Sequence, residues 1–243
     1  MTSFAFQLYS LHAVDDPLPT VVERVGETGF DGVELAGLGD ADPEDVGDAL
    51  ERTGLELAGA HVGIEELEAN AEAVAETYGA LGCENVVVPW FEPEEFEDRA
   101  SVEAAGARLN AVAEDLAEYD LSLHYHNHDQ EFADLDGEPA LTRLMEATED
   151  VSFELDLGWV GAAGYDPLSY LDDHADRIRL VHLKDYHAEA GEPAEVGEGD
   201  IDVEETVSAV RDHGFDWLIY EAEERPDSYE TLDNAAEIVE RYW

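Results

Sequence analysis

Short apolar runs alternate along this chain with longer segments in which hydrophobic residues recur at helical spacing. Eight of these runs are predicted to be strands: Phe4–Leu8, Gly32–Leu35, Leu57–His61, Asn85–Pro89, Leu121–His126, Ser152–Leu157, Ile178–Leu183 and Trp217–Glu221. Helical periodicity follows each strand, and the first helix carries Leu18, Val21, Val22 and Val25 at i, i+3, i+4 and i+7. One helix face needs such a stripe to cover a sheet.

The same helical stripe returns later in the chain. It is formed by Val102, Leu109, Val112 and Leu116, and again in the last helix by Leu232, Ala235, Ala236 and Val239. Helix starts are marked as well, because Asp42-Pro43 and Asp166-Pro167 each supply an N-cap followed by proline at the first helical position. Acidic residues fill the opposite, solvated helix faces.

Strands and helices alternate over the whole length, which predicts an α/β protein with a parallel sheet. Eight such units favour a closed (β/α)8 TIM barrel formed by residues 1–243 as one domain, since barrels of this length are single domains. A doubly wound open sheet would need fewer units and a glycine-rich phosphate loop after the first strand. The chain has Gln7-Leu8-Tyr9-Ser10-Leu11-His12 there, so the barrel is preferred.

The net charge of the chain indicates the salt concentration of its environment. It has 62 acidic residues against 11 Lys and Arg, a formal net charge of −51, yet 44% of its residues are hydrophobic. Because the apolar positions are periodic, we expect a folded protein rather than a disordered one. Self-repulsion at this charge needs screening, which indicates the high-salt cytosol of a halophile; an ordinary acidic protein is the alternative.

Charge and composition also limit the partners and the location. Duplex DNA and anionic membranes should be repelled, so we expect no nucleic-acid and no membrane partner. No basic N-terminal segment precedes a long apolar run, and the single Cys83 excludes an intramolecular disulfide. These features predict a soluble, cytoplasmic protein, and a homo-oligomer is left open.

Polar side chains at the carboxyl ends of barrel strands point into the mouth, where functional sites of barrels are found. Four consecutive predicted strands end in such residues, and the metal-ligand candidates are His126, Asp156, His182 and Glu221. This mixture of nitrogen and oxygen donors suits a divalent metal with open positions better than a closed structural zinc site. Such an ion would polarise a substrate carbonyl and hold an enediolate. A network of paired charges filling the barrel is the alternative interpretation.

The motifs at these positions resemble a known family. Seven segments are similar to motifs of the xylose-isomerase-like superfamily. They are Gln7-Leu8-Tyr9-Ser10, Gly32-Val33-Glu34-Leu35, Ala60-His61, Tyr125-His126-Asn127-His128 with Glu131-Phe132, Glu154-Leu155-Asp156 with Gly158-Trp159, Val181-His182-Leu183-Lys184-Asp185 and Gly197-Glu198-Gly199-Asp200-Ile201-Asp202. That superfamily includes sugar phosphate isomerases/epimerases, inosose-type dehydratases and apurinic endonucleases. The resemblance covers essentially the whole chain and implies a xylose-isomerase-like barrel with one divalent metal, such as Mn, Co, Mg or Zn.

The resemblance implies that Asp156, His182 and Glu221 are metal ligands. The strand-five ligand of many members is a glutamate that also acts as a base, whereas His126 stands at the matching position here. This departure puts epimerisation by two glutamates in doubt. Glu131 could restore a carboxylate to the site as a base or as an alternative ligand, so the strand-five ligand stays open between His126 and Glu131.

Further residues are candidates for contacting a substrate. They are Gln7, Glu34, His61, Trp90, Trp159 and Lys184. Each has a structural alternative: Lys184 could form a salt bridge with Asp185, the tryptophans could be packing residues of the rim, and Glu34 could pair with a basic neighbour. His124 is predicted to be a hydrogen-bonded structural residue.

These observations lead to a functional hypothesis with alternatives. The first is a metal-dependent sugar or sugar phosphate isomerase/epimerase that abstracts a proton α to a carbonyl, with Glu221, Glu131 or the strand-five His128 as the base. A dehydratase or lyase acting on a keto-sugar or keto-inositol would share the first step. An apurinic endonuclease is opposed by the charge, and a non-catalytic sugar-binding barrel is the remaining alternative.

Overall fold

Eight parallel strands close into a barrel in the order in which they occur along the chain, in a computed structural model that describes residues 1–243. The strands are β1 Ser3–Gln7, β2 Gly32–Leu35, β3 Glu56–His61, β4 Asn85–Val88, β5 Ser122–His126, β6 Val151–Asp156, β7 Ile178–Leu183 and β8 Trp217–Tyr220. Strand β1 closes the cylinder, because Phe6 pairs with Val33 on one side and with Tyr220 on the other. The predicted barrel and its strands are confirmed, with ends that differ by one residue at most.

Nine α-helices surround the barrel. They are α1 Leu18–Val25, α2 Pro43–Thr53, α3 Ile64–Ala80, α4 Arg99–Ala117, α5 Ala140–Ala147, α6 Leu157–Ala162, α7 Pro167–His174, α8 Val203–His213 and α9 Glu230–Tyr242. The expected N-caps are present: the carboxylates of Asp42 and Asp166 accept hydrogen bonds from the backbone N–H groups of Glu44 and Ser169 at 3.0 and 2.8 Å. None of the nine helices has the length and apolar character that crossing a membrane requires.

Irregular segments follow two strands at the mouth of the barrel. After β5 the chain forms a 3-10 helix, Gln130–Phe132, and a two-stranded hairpin that joins Asp134–Leu135 to Glu138–Pro139. After β7 a second hairpin joins Asp185–His187 to Glu192–Ala194. Sequence periodicity did not indicate either hairpin, because each strand has only two or three residues.

The hydrophobic core has two parts. A large cluster lies between the strands and the helices, and a small one fills the inside of the barrel with Ala5, Ala58, Val87, Leu180, Trp217 and Ile219. Trp217 is the first residue of β8, so the inner apolar cluster closes the amino end of the barrel. The carboxyl end of the interior is left to polar side chains, and these form the site.

Candidate active site

Four strand-end side chains meet at the mouth of the barrel and form what we call the outer group. It comprises His126 of β5, Asp156 of β6, His182 of β7 and Glu221, which directly follows β8; all are buried, and their ligand atoms lie within 4.8 Å of one another. Nδ1 of His182 lies 3.0 Å from Oε2 of Glu221 and 3.9 Å from Oδ2 of Asp156. Nε2 of His126 lies 3.9 Å from the same Asp156 oxygen. The structure thus brings together the four residues selected from the sequence.

Local structure explains how Asp156 is held. This residue ends β6 and caps helix α6, because its Oδ1 accepts a hydrogen bond from the backbone N–H of Trp159 at 2.9 Å. Asn127 fixes the same strand end, since its Oδ1 accepts from the backbone N–H of Asp156 at 3.0 Å. With Oδ1 engaged in the cap, Oδ2 is free to face the outer group.

A second layer of polar residues lies directly against the outer group, and we call it the inner group. It contains Glu34, His61 and Glu154. The Oε2 atom of Glu154 lies 3.0 Å from Nε2 of His61, 3.1 Å from Nδ1 of His126 and 3.2 Å from Nε2 of His182. The Oε2 atom of Glu34 lies 2.8 Å from Nε2 of His182. Two carboxylates therefore contact the imidazoles of both groups.

Glu154 was not selected from the sequence, although a signal was present. It stands two residues before Asp156 on the same strand, so the two side chains point to the same face. Both are fully buried. The sequence does not show which side chains of the other strands lie at the same level of the barrel as Glu154. Its position among three histidines therefore could not be predicted.

Gln7 orients Glu34 rather than facing an open cavity. Its side-chain nitrogen donates a hydrogen bond to Oε2 of Glu34 at 2.7 Å, while its Oε1 accepts from the backbone N–H of Tyr9 at 2.9 Å. Space for Glu34 is provided by Gly59, where an added Cβ would lie 2.5 Å from Oε1 of Glu34. Neither Gln7 nor Glu34 lines the cavity described below. Their contact with a substrate stays a prediction.

Lys184 is the only lysine of the chain, and it is buried among carboxylates. Its Nζ lies 3.3 Å from Oε2 of Glu221 and 3.9 Å from Oδ2 of Asp156, and it forms an ion pair with Glu223. The sequence-based alternative, a salt bridge between Lys184 and Asp185, is not formed. Asp185 instead accepts hydrogen bonds from the backbone N–H groups of Tyr186, Gly197, Gly199 and Ile201 and thereby holds the loop after β7.

The charges of the site shift the pKa values of its members in opposite directions. Burial disfavours the charged form of Glu221, but Lys184 and His182 outweigh it and hold the pKa of Glu221 well below its usual range. The pKa of His182 is raised, because Glu154 and Glu221 outweigh burial. Burial raises the pKa of Asp156 to about 7 despite the nearby Lys184. Asp156 therefore lacks a full counter-charge among the side chains around it.

The outer group fits a divalent metal ion. Oδ2 of Asp156 is buried and has no hydrogen-bond partner, an arrangement that is costly unless a cation or donor satisfies it. Two ligands that each lie about 2.1 Å from a cation are roughly 3–4 Å apart. The separations of 3.0 to 3.9 Å within the group agree with this. Two imidazoles and two carboxylates could thus hold the ion and leave positions open for substrate.

A cavity of about 580 Å³ opens beside the outer group. It is lined by Tyr9, Ala36, His61, Gly63, Pro89, Trp90, His126, His128, Trp159, Glu221 and Glu223. His128 lies between the two tryptophans, with ring centroids 4.7 Å from Trp90 and 5.6 Å from Trp159. Nδ1 of His128 and Nε1 of Trp159 are buried without a hydrogen-bond partner. The volume is in the range typical of small-molecule sites.

Glu131 lies away from the outer group. Its Oε1 accepts a hydrogen bond from the hydroxyl of Tyr125 at 2.5 Å, and its Oε2 accepts from the backbone N–H of His128 at 2.9 Å. It belongs to neither cluster of metal-type ligands and does not line the cavity. The structure therefore places His126 in the outer group and Glu131 outside it, where Glu131 accepts a hydrogen bond from the turn that carries His128.

His124, the other strand-five histidine, also lies outside both groups. Its Nε2 is 3.0 Å from Oδ1 of Asn85 on the neighbouring strand β4, and its side chain is buried. This arrangement agrees with the structural, hydrogen-bonded role predicted for it. Burial lowers the pKa of His124 to about 4, so its imidazole is neutral at physiological pH.

Comparisons with known proteins identify the family of the barrel. A family model described as xylose isomerase-like TIM barrel matches residues 22–241. An inosose dehydratase from Bacillus licheniformis is 27% identical over 212 residues, which cover 77% of this chain and 68% of that protein. The rhizopine catabolism protein MocC from Rhizobium meliloti is 26% identical over 265 residues, covering 91% of this chain and 79% of that protein.

A solved structure shows the same fold. The sugar phosphate isomerase/epimerase from Parabacteroides distasonis superposes with a TM-score of 0.83 at 19% sequence identity, covering 98% of this chain and 96% of that one. At this identity the likeness concerns the barrel architecture alone. The proteins named above include a dehydratase and a sugar phosphate isomerase/epimerase, so the fold by itself leaves the reaction open.

Proposed function

The chain belongs to the xylose isomerase-like TIM barrel family, and from this premise we propose that it is a divalent-metal-dependent dehydratase of a small, uncharged keto-inositol or keto-sugar. The observation that carries the proposal is the outer group, whose four buried ligand atoms lie within 4.8 Å of one another beside the cavity. A divalent ion bound there would act as a Lewis acid on the carbonyl oxygen and acidify the neighbouring C–H bond.

Glu221 is the residue to which we assign the proton transfer. It lines the cavity, and its contacts with His182 and Lys184 both involve Oε2, which leaves Oε1 for the substrate. In the proposed reaction Oε1 takes the proton from the carbon next to the carbonyl. The same proton then passes to the departing β-hydroxyl, so that water leaves and Glu221 returns to its carboxylate form.

The strand-five residue supports dehydration over epimerisation. Epimerisation by two carboxylates needs a second carboxylate on the other face of the substrate, and β5 supplies His126 instead. Dehydration needs only one base, because the proton goes to a leaving group rather than back to carbon. The relative named inosose dehydratase supports the same choice.

The charges around the cavity support an uncharged substrate. No arginine or lysine lines the cavity. The nearby Lys184 is already neutralised by Asp156, Glu221 and Glu223. A phosphate group is normally recognised by free Arg or Lys side chains or by helix N-termini. The two tryptophans and His128 instead offer apolar ring faces and hydrogen-bonding groups suited to hydroxyls.

Isomerisation or epimerisation of a neutral sugar is the second candidate. The observation that favours it is His128, a second titratable side chain that lines the cavity, although burial lowers the pKa of its imidazole to about 2. In that reaction the proton would return to carbon and no water would be lost. The two reactions therefore share their first step and differ in their product.

The proposal is tested by incubating the Mn²⁺-loaded protein with keto-inositols and neutral ketoses in heavy water and following the products by NMR. We expect an unsaturated, dehydrated product from a keto-inositol, and loss of turnover in Glu221→Gln. Deuterium at the α-carbon without loss of water would select the second candidate. Failure to exchange an α-proton or form product with any substrate of the panel, in a protein that holds its metal, would refute both.

A further inference from the structure

The two histidines of the outer group each use both ring nitrogens, and the nitrogens face different partners. His126 places Nε2 3.9 Å from Asp156 and Nδ1 3.1 Å from Glu154. His182 places Nδ1 3.0 Å from Glu221 and Nε2 2.8 Å from Glu34. In each ring one nitrogen therefore faces the outer group and the other faces a carboxylate of the inner group.

The chemistry of imidazole makes this arrangement directional. A neutral imidazole carries one N–H donor and one lone pair, and an ionised carboxylate can only accept a hydrogen bond. When the inner nitrogen donates its proton to Glu34 or Glu154, the lone pair is left on the outer nitrogen. Only this tautomer presents a metal-ligating lone pair to the outer group.

We propose that Glu154 and Glu34 are positioning residues that fix the metal-binding tautomers of His126 and His182. Glu34, which is hydrogen-bonded to Nε2 of His182 at 2.8 Å, fixes Nε2–H on that ring. The Oε2 atom of Glu154 lies 3.1 Å from Nδ1 of His126 without the alignment of a hydrogen bond, so its negative charge is what favours Nδ1–H on that ring. The proposal rests on the metal site of the proposed function. It assigns a role to Glu154 that neither the sequence motifs nor the cavity indicated.

The surroundings of the inner group are built for this role. Glu34 and Glu154 are fully buried, where an unpaired carboxylate is costly, and neither contacts an arginine or lysine. Glu34 is held by the donor Gln7 at 2.7 Å, and Glu154 by His61 at 3.0 Å. The Oε2 atoms of both carboxylates are thus engaged by imidazoles and by one amide, while their Oε1 atoms are buried without a hydrogen-bond partner.

A second metal ion in the inner group is the competing interpretation, because His61, His126, Glu154 and His182 also lie within 4.8 Å of one another. The amide nitrogen of Gln7 argues against it. This N–H donor lies 2.7 Å from Oε2 of Glu34 and 3.3 Å from Nε2 of His61, so a donor already occupies the edge of that space. An inner ion would also take the nitrogens that we assign to N–H groups.

The experiment measures Co²⁺ affinity by calorimetry in wild type, Glu154→Gln, Glu34→Gln and the control Glu195→Gln. Glu195 is an equally buried glutamate, bonded to Thr231 and Asn234 outside the outer and inner groups. We expect one Co²⁺ per chain, an affinity 10- to 100-fold weaker in Glu34→Gln, a weaker affinity also in Glu154→Gln and no change in the control. Circular dichroism reports whether each variant is folded.

A second readout needs no variant. Histidine ¹⁵N NMR of the wild-type protein loaded with Zn²⁺ should show Nδ1–H on His126 and Nε2–H on His182. The opposite tautomers would overturn the proposal, as would unchanged Co²⁺ affinity in both glutamine variants. Two ions per chain, with one lost in Glu154→Gln, would overturn it in favour of an inner metal site. A wild type that binds one ion but turns over no substrate would refute the proposed reaction only.

Discussion

The ammonium group of Lys184 lies 3.3 Å from Oε2 of Glu221, and both side chains are buried at the mouth of the barrel. The same ammonium contacts Asp156 and Glu223, so one cation lies against three carboxylates and can balance only one of their charges. Lys184 thus supplies part of the positive charge that offsets these carboxylates, and a bound metal ion would supply more. Replacing Lys184 should therefore show how much of the charge balance depends on the lysine and how much on the metal ion.

Lys184→Met should lower the free energy of unfolding of the metal-free protein by about 3–5 kcal/mol, because it leaves buried carboxylates without their cation. With Mn²⁺ bound, the loss should be smaller. Chemical denaturation with and without Mn²⁺ measures both values. As a control, Arg52→Met breaks the exposed Arg52–Glu23 pair and should cost at most about 1 kcal/mol in either condition. An equal loss for Lys184→Met with and without metal would contradict the shared role.

Glu131 should make stability depend on pH. Burial raises its pKa from 4.5 to about 7, so the folded state binds this proton more tightly than the unfolded state. The carboxyl therefore destabilises the fold progressively as pH rises from about 4.5 to 7. Relative to wild type, Glu131→Gln should gain about 3 kcal/mol over this range, at 1.36 kcal/mol per pKa unit. Denaturation of both proteins at several pH values tests this, and a constant difference between them would contradict it.

Gly59 should not tolerate a side chain. A Cβ there would lie 2.5 Å from Oε1 of Glu34, so Gly59→Ala should destabilise the protein by about 1–3 kcal/mol and displace Glu34. Gly79 in helix α3 has no atom within 4 Å of an added Cβ. Gly79→Ala should therefore stabilise by about 0.5–1 kcal/mol. Thermal or chemical unfolding of the two variants tests the contrast, and equal effects would show that Gly59 is not constrained by Glu34.

Salt should stabilise the fold strongly. At a formal net charge of −51, repulsion between surface carboxylates opposes the folded state. The Debye length falls from about 10 Å at 0.1 M salt to about 3 Å at 1 M, so the unfolding temperature should rise over that interval. Scanning calorimetry in KCl, with sucrose as an uncharged control, measures this. An unfolding temperature that does not change between the two salt concentrations would remove the argument for a high-salt environment.

The barrel could be predicted from the sequence because buried strands and amphipathic helices leave periodic marks. The ligands His126, Asp156, His182 and Glu221 could be selected because parallel strands bring their carboxyl ends to one rim. The absence of a salt bridge between Lys184 and Asp185 could also be predicted from the sequence. Successive strand residues point to opposite faces, so Asp185 could not share a face with Lys184.

The rest needed coordinates. The depth of Glu154 in the barrel depends on how eight strands are staggered, including an irregular register between β2 and β3 at Glu34. The orientation of Glu131 depends on the 3-10 turn after β5, and no hydrophobic period determines the path of such a turn. Sequence patterns therefore located the rim of the site and left its inner group and its loops undetermined.

Whether the outer group binds a divalent metal ion is tested by the metal content and Mn²⁺ affinity of purified wild type beside Asp156→Ala. Asp156 contributes a buried carboxylate oxygen with no hydrogen-bond partner, which we assign as a ligand of the cation. We predict about one divalent ion per wild-type chain, and a loss of at least 100-fold in affinity in a folded Asp156→Ala protein. Equal and negligible metal in both proteins would contradict the central claim.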